Sequence, residues 1–87
     1  MDQDHELLRR FAEEGAEAAF AELVRRKADL VYAAALRQTG GDAHLAQDVT
    51  QSVFLALADK ASSLARHVVP TGWLFTTTRF LAISAPE

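Results

Sequence analysis

Residues 29–61 read DLVYAAALRQTGGDAHLAQDVTQSVFLALADKA, and this stretch decides the fold class. Apolar residues on both sides of the glycine pair recur at intervals of three and four, the spacing of amphipathic helices. Gly40 and Gly41 are typical of a helix C-terminus, and Asp42 is a suitable N-cap for the next helix. The stretch therefore predicts two helices joined by a tight turn.

The same spacing predicts four helices in one domain, at about residues 4–14, 17–39, 43–63 and 72–83. A polar loop with one basic cluster is expected from Ser62 to Thr71. The last segment, GWLFTTTRFLAI, is rich in residues that favour strands. No second strand candidate could pair with it, and a lone strand is unstable in water, so we predict a helix. The predicted fold class is all-α, a compact bundle of about four helices.

The predicted helices each present an apolar face to a common core. On the second helix this face comprises Phe20, Leu23, Val24, Leu30, Val31 and Ala34. On the third helix it comprises Leu45, Ala46, Val49, Val53, Ala56 and Leu57. Core packing is also the favoured role for Trp73 and Phe75, because aromatic side chains dominate the energetics of small cores.

Composition narrows the function. The 87 residues include no cysteine, which excludes disulfides and thiolate metal sites. No run approaches the ~20 apolar residues of a membrane span, and the N-terminus lacks the apolar stretch of a signal peptide. These features predict a cytoplasmic protein that does not enter a membrane. A formal charge of −3 argues against a duplex-DNA binder and favours a protein partner with a basic surface.

One face of the third helix has two interpretations. Asp48, Gln51, Ser52, Leu55 and Asp59 fall together on a helical wheel, away from the predicted core face. A solvated face with one stray leucine needs no special explanation. Alternatively, the acidic and amide groups meet arginines of a partner helix while Leu55 fills a groove.

The sequence resembles region 2 of sigma-70 family sigma factors, and within that family the extracytoplasmic-function (ECF) group. The resemblance covers roughly residues 11–82. Its elements are a hydrophobic helix ending in ALR, a Gly-Asp turn, an Asp-x-x-Gln core followed by Val-Phe-Leu, and Gly-Trp-Leu opening the last helix.

The resemblance implies a transcription-initiation module with no cofactor. It assigns Asp48, Gln51, Ser52 and Leu55 to the clamp helices of the largest subunit of core RNA polymerase. It also implies that the last helix and the preceding loop recognise the −10 promoter element and capture an unstacked base of the non-template strand. The candidates for that role are Arg66, His67, Thr76, Thr77, Arg79 and Phe80. Arginine supplies charge, threonine hydrogen bonds, and the aromatic ring stacking.

The chain departs from the family pattern in three places. Ser52 stands where an acid is usual, which weakens the expected docking. Phe80 follows Arg79 where asparagine is usual, so base recognition is expected to differ. The family's last helix continues into arginines, a linker and a second domain for the −35 element. That domain is absent from this chain, so poor binding of duplex DNA is expected. Whether the chain is naturally short or part of a longer protein stays open.

Two other function classes compete. A protein-interaction module derived from region 2 would bind polymerase, an anti-sigma factor or a second copy of itself without recognising a promoter. Exposure of Leu81 and Ile83 would encourage that self-association. An enzyme or metal protein is disfavoured. His44 and Asp48 have the spacing of two metal ligands on a helix, but no third ligand is evident.

Overall fold

A computed structural model of the protein describes residues 3–67 and 70–84. Five helices are present in these residues: α1 (Gln3–Glu14), α2 (Glu17–Gln38), α3 (Ala43–Asp59), α4 (Ala61–His67) and α5 (Pro70–Ser84). All regular structure in the described ranges is helical, which confirms the all-α class and the helical interpretation of the last segment. No helix among the described residues is both long and apolar enough to cross a membrane.

The turn between α2 and α3 has the predicted geometry. Gly40 and Gly41 have φ values of 69° and 90°, a left-handed conformation that costs glycine little. The Gly41 N–H donates to the Leu36 carbonyl over 2.8 Å and closes the last turn of α2. Asp42 then caps α3, since its Oδ1 accepts a hydrogen bond of 3.0 Å from the Leu45 N–H. The predicted helix stop and N-cap are both confirmed.

The core lies where the five helices meet. α2 packs against α1, α3 and α5, while α1 also packs against α4, and α3 against α5. The largest apolar side chains that are fully buried there come from four of the helices and include Leu8, Leu23, Val31, Val53, Leu57 and Leu74. Trp73 is partly buried and packs against this cluster, as predicted.

The segment from Lys60 onward differs from the prediction. α3 ends at Asp59, where Lys60 leaves helical geometry and its N–H bonds the Ala56 carbonyl over 3.0 Å. The stretch expected to form a polar loop contains α4, whose Leu64 and Ala65 are buried. α5 begins at Pro70, two residues earlier than predicted, because proline fits the first turn of a helix, where its missing N–H costs nothing.

The predicted core faces need two further corrections. Leu30 was expected in the apolar face of α2, yet it is 43% exposed. Because α2 packs against three different helices, the side of it that is covered changes along its length. Phe54, omitted from the predicted inward face of α3, is buried among the core residues.

Polar contacts fasten α1 to the rest of the domain. The Lys27 Nζ lies 2.6 Å from the Asp4 Oδ2, and both side chains are mostly buried. The Nε2 of His5 lies 2.5 Å from the carbonyl oxygen of Ala65, which joins α1 to α4. These contacts hold α4, and with it Arg66, in a defined position against the bundle.

Candidate functional site

The predicted docking residues form an exposed stripe on α3. Asp48, Gln51, Ser52 and Leu55 are all exposed, and Leu55 retains 65% of its accessible surface. Their spacing of three and four residues places them on one side of the helix. The buried side chains of α3 occupy the other side, so the predicted separation of the stripe from the core face is confirmed.

An apolar groove of about 380 Å³ runs beside this stripe, between α2 and α3. Gln51 and Leu55 belong to both the stripe and the groove. The α2 wall consists of Phe20, Val24, Ala28 and Tyr32, and the α3 wall adds Gln47, Thr50, Phe54 and Ala58. Such a groove can receive the apolar side chains of an amphipathic partner helix. The polar stripe can then form hydrogen bonds and ion pairs with the charged side chains of that helix.

Sequence reasoning missed the α2 wall of this groove. Phe20, Val24, Ala28 and Tyr32 follow one another at intervals of four, and this row was the available signal. α1 supports one end of the row, because the rings of Phe11 and Phe20 pack with their centroids 4.5 Å apart. Packing of α1 thus helps shape a groove that lies between two other helices.

α5 presents a second exposed surface of different chemistry. Its inner side buries Pro70, Leu74 and Thr78, and the Thr78 hydroxyl donates to the Leu74 carbonyl over 2.6 Å. Its outer side carries Phe75, Thr76, Arg79, Phe80 and Ile83, all of them exposed. This outer side combines aromatic rings, a hydroxyl and a cation, the groups that bind single-stranded nucleic acid.

The predicted DNA-binding residues are only partly brought together. Thr76 and Arg79 line a common pocket of about 240 Å³ between α5 and the end of α2. Phe80 is 65% exposed on the same side of α5. Thr77 is half-buried, and Arg66 is exposed on α4, outside the pocket lining. The side chain of His67 lies outside the described residues.

Phe75 corrects a further prediction. It was expected to pack in the core like Trp73, but it is 40% exposed and lines the same pocket. Phe75 follows the buried Leu74 by one residue, a rotation of about 100° that turns it out of the core.

Some basic side chains in the described part of the domain form ion pairs with carboxylates, and others do not. Arg9, Arg25, Arg26 and Lys27 form ion pairs near the start of the chain. In one of these clusters the pKa of Glu22 is held below its ordinary value, chiefly through the hydrogen bond from Arg25 and then that from Arg26. Within the described ranges, the remaining basic residues, Arg10, Arg37, Lys60, Arg66 and Arg79, make no ion pair. Two of these unpaired cations line the α2–α5 pocket.

The two candidate metal ligands lie on the surface of α3. His44 and Asp48 are both exposed on α3. The described residues contain no group of three or more His, Cys, Asp or Glu side chains placed to hold a metal ion.

The domain thus exposes a stripe of polar groups and one leucine on α3, and aromatic rings, hydroxyls and one arginine on α5. The chain belongs to the sigma-70 region 2 family, since the family model for Sigma-70 region 2 matches residues 23–85. Searches of curated proteins and of solved structures give no match to the chain. The family match covers the stripe and the outer side of α5 together. At the family level, the chain is a transcription-initiation module of the kind that binds RNA polymerase and promoter DNA.

Proposed function

We propose that this chain is a region 2 module of the ECF type that works in the cytoplasm without catalytic activity. It docks on the clamp helices of the largest subunit of core RNA polymerase and holds the opened −10 element. The observation that carries this proposal is the stripe of Asp48, Gln51, Ser52 and Leu55. Its polar groups are exposed beside an apolar groove, within the segment that matches the family.

Docking follows from the chemistry of that surface. The Asp48 carboxylate accepts charge-assisted hydrogen bonds from arginine, and the Gln51 amide both donates and accepts. Leu55 and the groove remove apolar side chains of the partner helix from water. Ser52 offers only a neutral hydroxyl, so this chain makes one ion pair fewer than the usual family pattern would.

Strand capture is assigned to the outer side of α5 and to α4. Arg79 and Arg66 contact phosphates, Thr76 supplies a short hydrogen bond, and the exposed ring of Phe80 stacks on a base. His67 and Thr77 are further candidates from the family resemblance. Bases can stack on an exposed aromatic ring only when they are not paired in a duplex, while the arginines contact the phosphates. This surface therefore favours single strands over the duplex.

The test of docking is co-purification with core RNA polymerase. Asp48→Ala combined with Gln51→Ala is expected to weaken binding by about 2 kcal/mol or more, roughly 30-fold in Kd, with helicity unchanged by circular dichroism. Asp29→Ala is the matched control, because it removes one negative charge from an exposed position elsewhere on a helix. Equal recovery of polymerase by the double variant and the control would overturn the docking assignment.

A second candidate function is a protein-interaction module without promoter recognition. The groove between α2 and α3 is apolar and larger than the α2–α5 pocket, which favours a protein partner. The partners would be polymerase, an anti-sigma factor or a second copy of the chain. Single-stranded oligonucleotides with and without a −10 sequence, tested with and without core enzyme, separate the two functions. Binding that is indifferent to sequence in both conditions would favour the interaction module.

A further inference from the structure

We propose that Arg37, at the end of α2, is a nucleic-acid-binding residue that acts together with Arg79 and Phe75 of α5. The three side chains line a pocket that takes one nucleotide unit of a single strand. This inference rests on the proposed promoter-binding function and adds α2 to the surface that carries it.

The pocket joins two helices that are distant in sequence. Ala34, Arg37 and Gln38 come from the last turns of α2, and Phe75, Thr76 and Arg79 come from α5. Its volume of about 240 Å³ is below the roughly 300–1,000 Å³ of sites for drug-sized ligands, so it can hold one nucleotide unit at most. Ala34 follows Tyr32 by two residues, about 200° around α2, so the pocket opens on a different side of α2 from the apolar groove.

The pocket is positively charged, which favours an anionic ligand. Arg37 and Arg79 make no ion pair within the described residues, and no acidic residue lines the pocket. Two like charges near one another repel, and a phosphate placed between them replaces that repulsion with two attractions. Guanidinium groups also match the geometry of phosphate oxygens through paired N–H donors.

The remaining lining groups indicate a nucleotide rather than a bare phosphate. Phe75 lines the pocket and is 40% exposed, and an isolated anion would leave this ring without a partner. A base can stack on that ring, and such stacking is sequence-tolerant. Gln38 and Thr76 each carry a donor and an acceptor, which suits the edge of a base.

A strand is favoured over a free nucleotide because the surface continues beyond the pocket. Phe80 lies about 7.5 Å farther along the α5 axis than Phe75, at 1.5 Å per residue, and is itself 65% exposed. This second exposed ring is rotated by about 140° around α5 from Phe75, so it offers a stacking position to a base farther along the strand.

The test uses a fluorescein-labelled single-stranded oligonucleotide with a −10-type sequence, titrated by anisotropy with and without core polymerase. Arg37→Gln is expected to lower affinity roughly tenfold, as loss of a charge-assisted hydrogen bond does. The slope of log affinity against log salt should fall by about 0.7, the value for one phosphate of a single strand. Arg10→Gln, which removes an unpaired cation from exposed α1, should change neither quantity.

Three outcomes separate this inference from its alternatives. Arg37 also lies in the last turn of α2, where its charge stabilises the helix dipole. If Arg37→Gln loses helicity, a folded Arg37→Lys variant should bind the oligonucleotide several-fold more weakly at an unchanged salt slope, because lysine keeps the charge but lacks the paired N–H donors. Full affinity in folded Arg37→Lys would overturn the inference. Unchanged affinity in folded Arg37→Gln would overturn the inference, while retained polymerase co-purification would leave the docking proposal intact. Displacement of the oligonucleotide by free deoxynucleotide monophosphate at equal affinity would overturn the assignment to a strand.

Discussion

Truncation of Leu55 tests whether the groove beside the α3 stripe is a binding surface. Leu55→Ala removes three carbon atoms, each worth about 0.8 kcal/mol when buried. In the free domain 65% of the residue is exposed, so docking can bury about that fraction of the side chain. The expected loss is about 1.5 kcal/mol of binding free energy, roughly tenfold in Kd for core polymerase.

Two other leucines serve as controls for this variant. Leu30 is 43% exposed on α2 outside the groove lining, so Leu30→Ala should leave polymerase affinity unchanged. Leu57 is fully buried two residues from Leu55, and Leu57→Ala should lower the free energy of unfolding by about 2–5 kcal/mol. Leu55→Ala should change that quantity by less than about 0.5 kcal/mol, as exposed substitutions usually do.

The measurements are a binding titration of labelled domain with core polymerase and a urea unfolding curve for each variant. Two results would refute the reasoning. Wild-type affinity in Leu55→Ala would show that the groove edge lies outside the interface. Destabilisation of Leu55→Ala to the same extent as Leu57→Ala would show that Leu55 supports the domain's own core.

Three further predictions concern charge. Arg79→Ala should lower both the affinity for a single-stranded oligonucleotide and the salt dependence of that affinity, measured by anisotropy at several salt concentrations; a lower affinity with an unchanged slope would assign Arg79 a structural role. Lys27→Met should lower the free energy of unfolding by about 1–2 kcal/mol in urea, because it removes the cation 2.6 Å from the mostly buried Asp4 carboxylate; an unchanged unfolding midpoint would contradict this. Glu22→Gln should make stability less sensitive to acid. The lowered pKa of Glu22 means that its contribution is present above its ordinary pKa of about 4.5 and is lost as the pH falls through the lower folded value, so unfolding curves of the two proteins should converge at low pH.

Local signals were sufficient to predict most of the fold. The double glycine and Asp42 define a helix stop and a helix start within a few residues, and both depend only on backbone geometry and one side-chain hydrogen bond. The helical state of residues 72–83 required a different argument, namely the lack of a partner strand, because its residue types favour β-structure. The structure agrees with that argument across the whole segment.

Features that depend on packing between distant segments were harder to predict. Most of α4 was predicted to belong to a polar loop with a basic cluster, yet Leu64 and Ala65 are buried in the core that α1 completes. Phe75 and Trp73 are both aromatic residues at the start of one helix. Only the orientation of α5 against the bundle decides that one packs inward and the other lines a pocket.

The candidate site also contains features that one helix determines and features that require two packed helices. The stripe on α3 follows from one helix and its spacing, so the wheel alone separates Asp48 and Gln51 from the core. The groove and the α2–α5 pocket each need two helices, and their second walls come from residues that no linear motif connects. Arg37 belongs to the ALR element of the family resemblance, but its nearness to Arg79 appears only after α2 and α5 pack together.

The negative formal charge does not argue against a nucleic-acid surface once the charges are placed in the fold. Of the nine basic residues, four pair with glutamates or with Asp4 within the domain, namely Arg9, Arg25, Arg26 and Lys27. Arg37 and Arg79 form no ion pair within the described residues, and both line one pocket. Because charges more than about 8 Å apart are largely screened at physiological ionic strength, a phosphate at that pocket responds to the local pair more than to the distant acids. Net charge predicts solubility and long-range attraction, whereas binding at a pocket depends on the cations that no carboxylate has already neutralised.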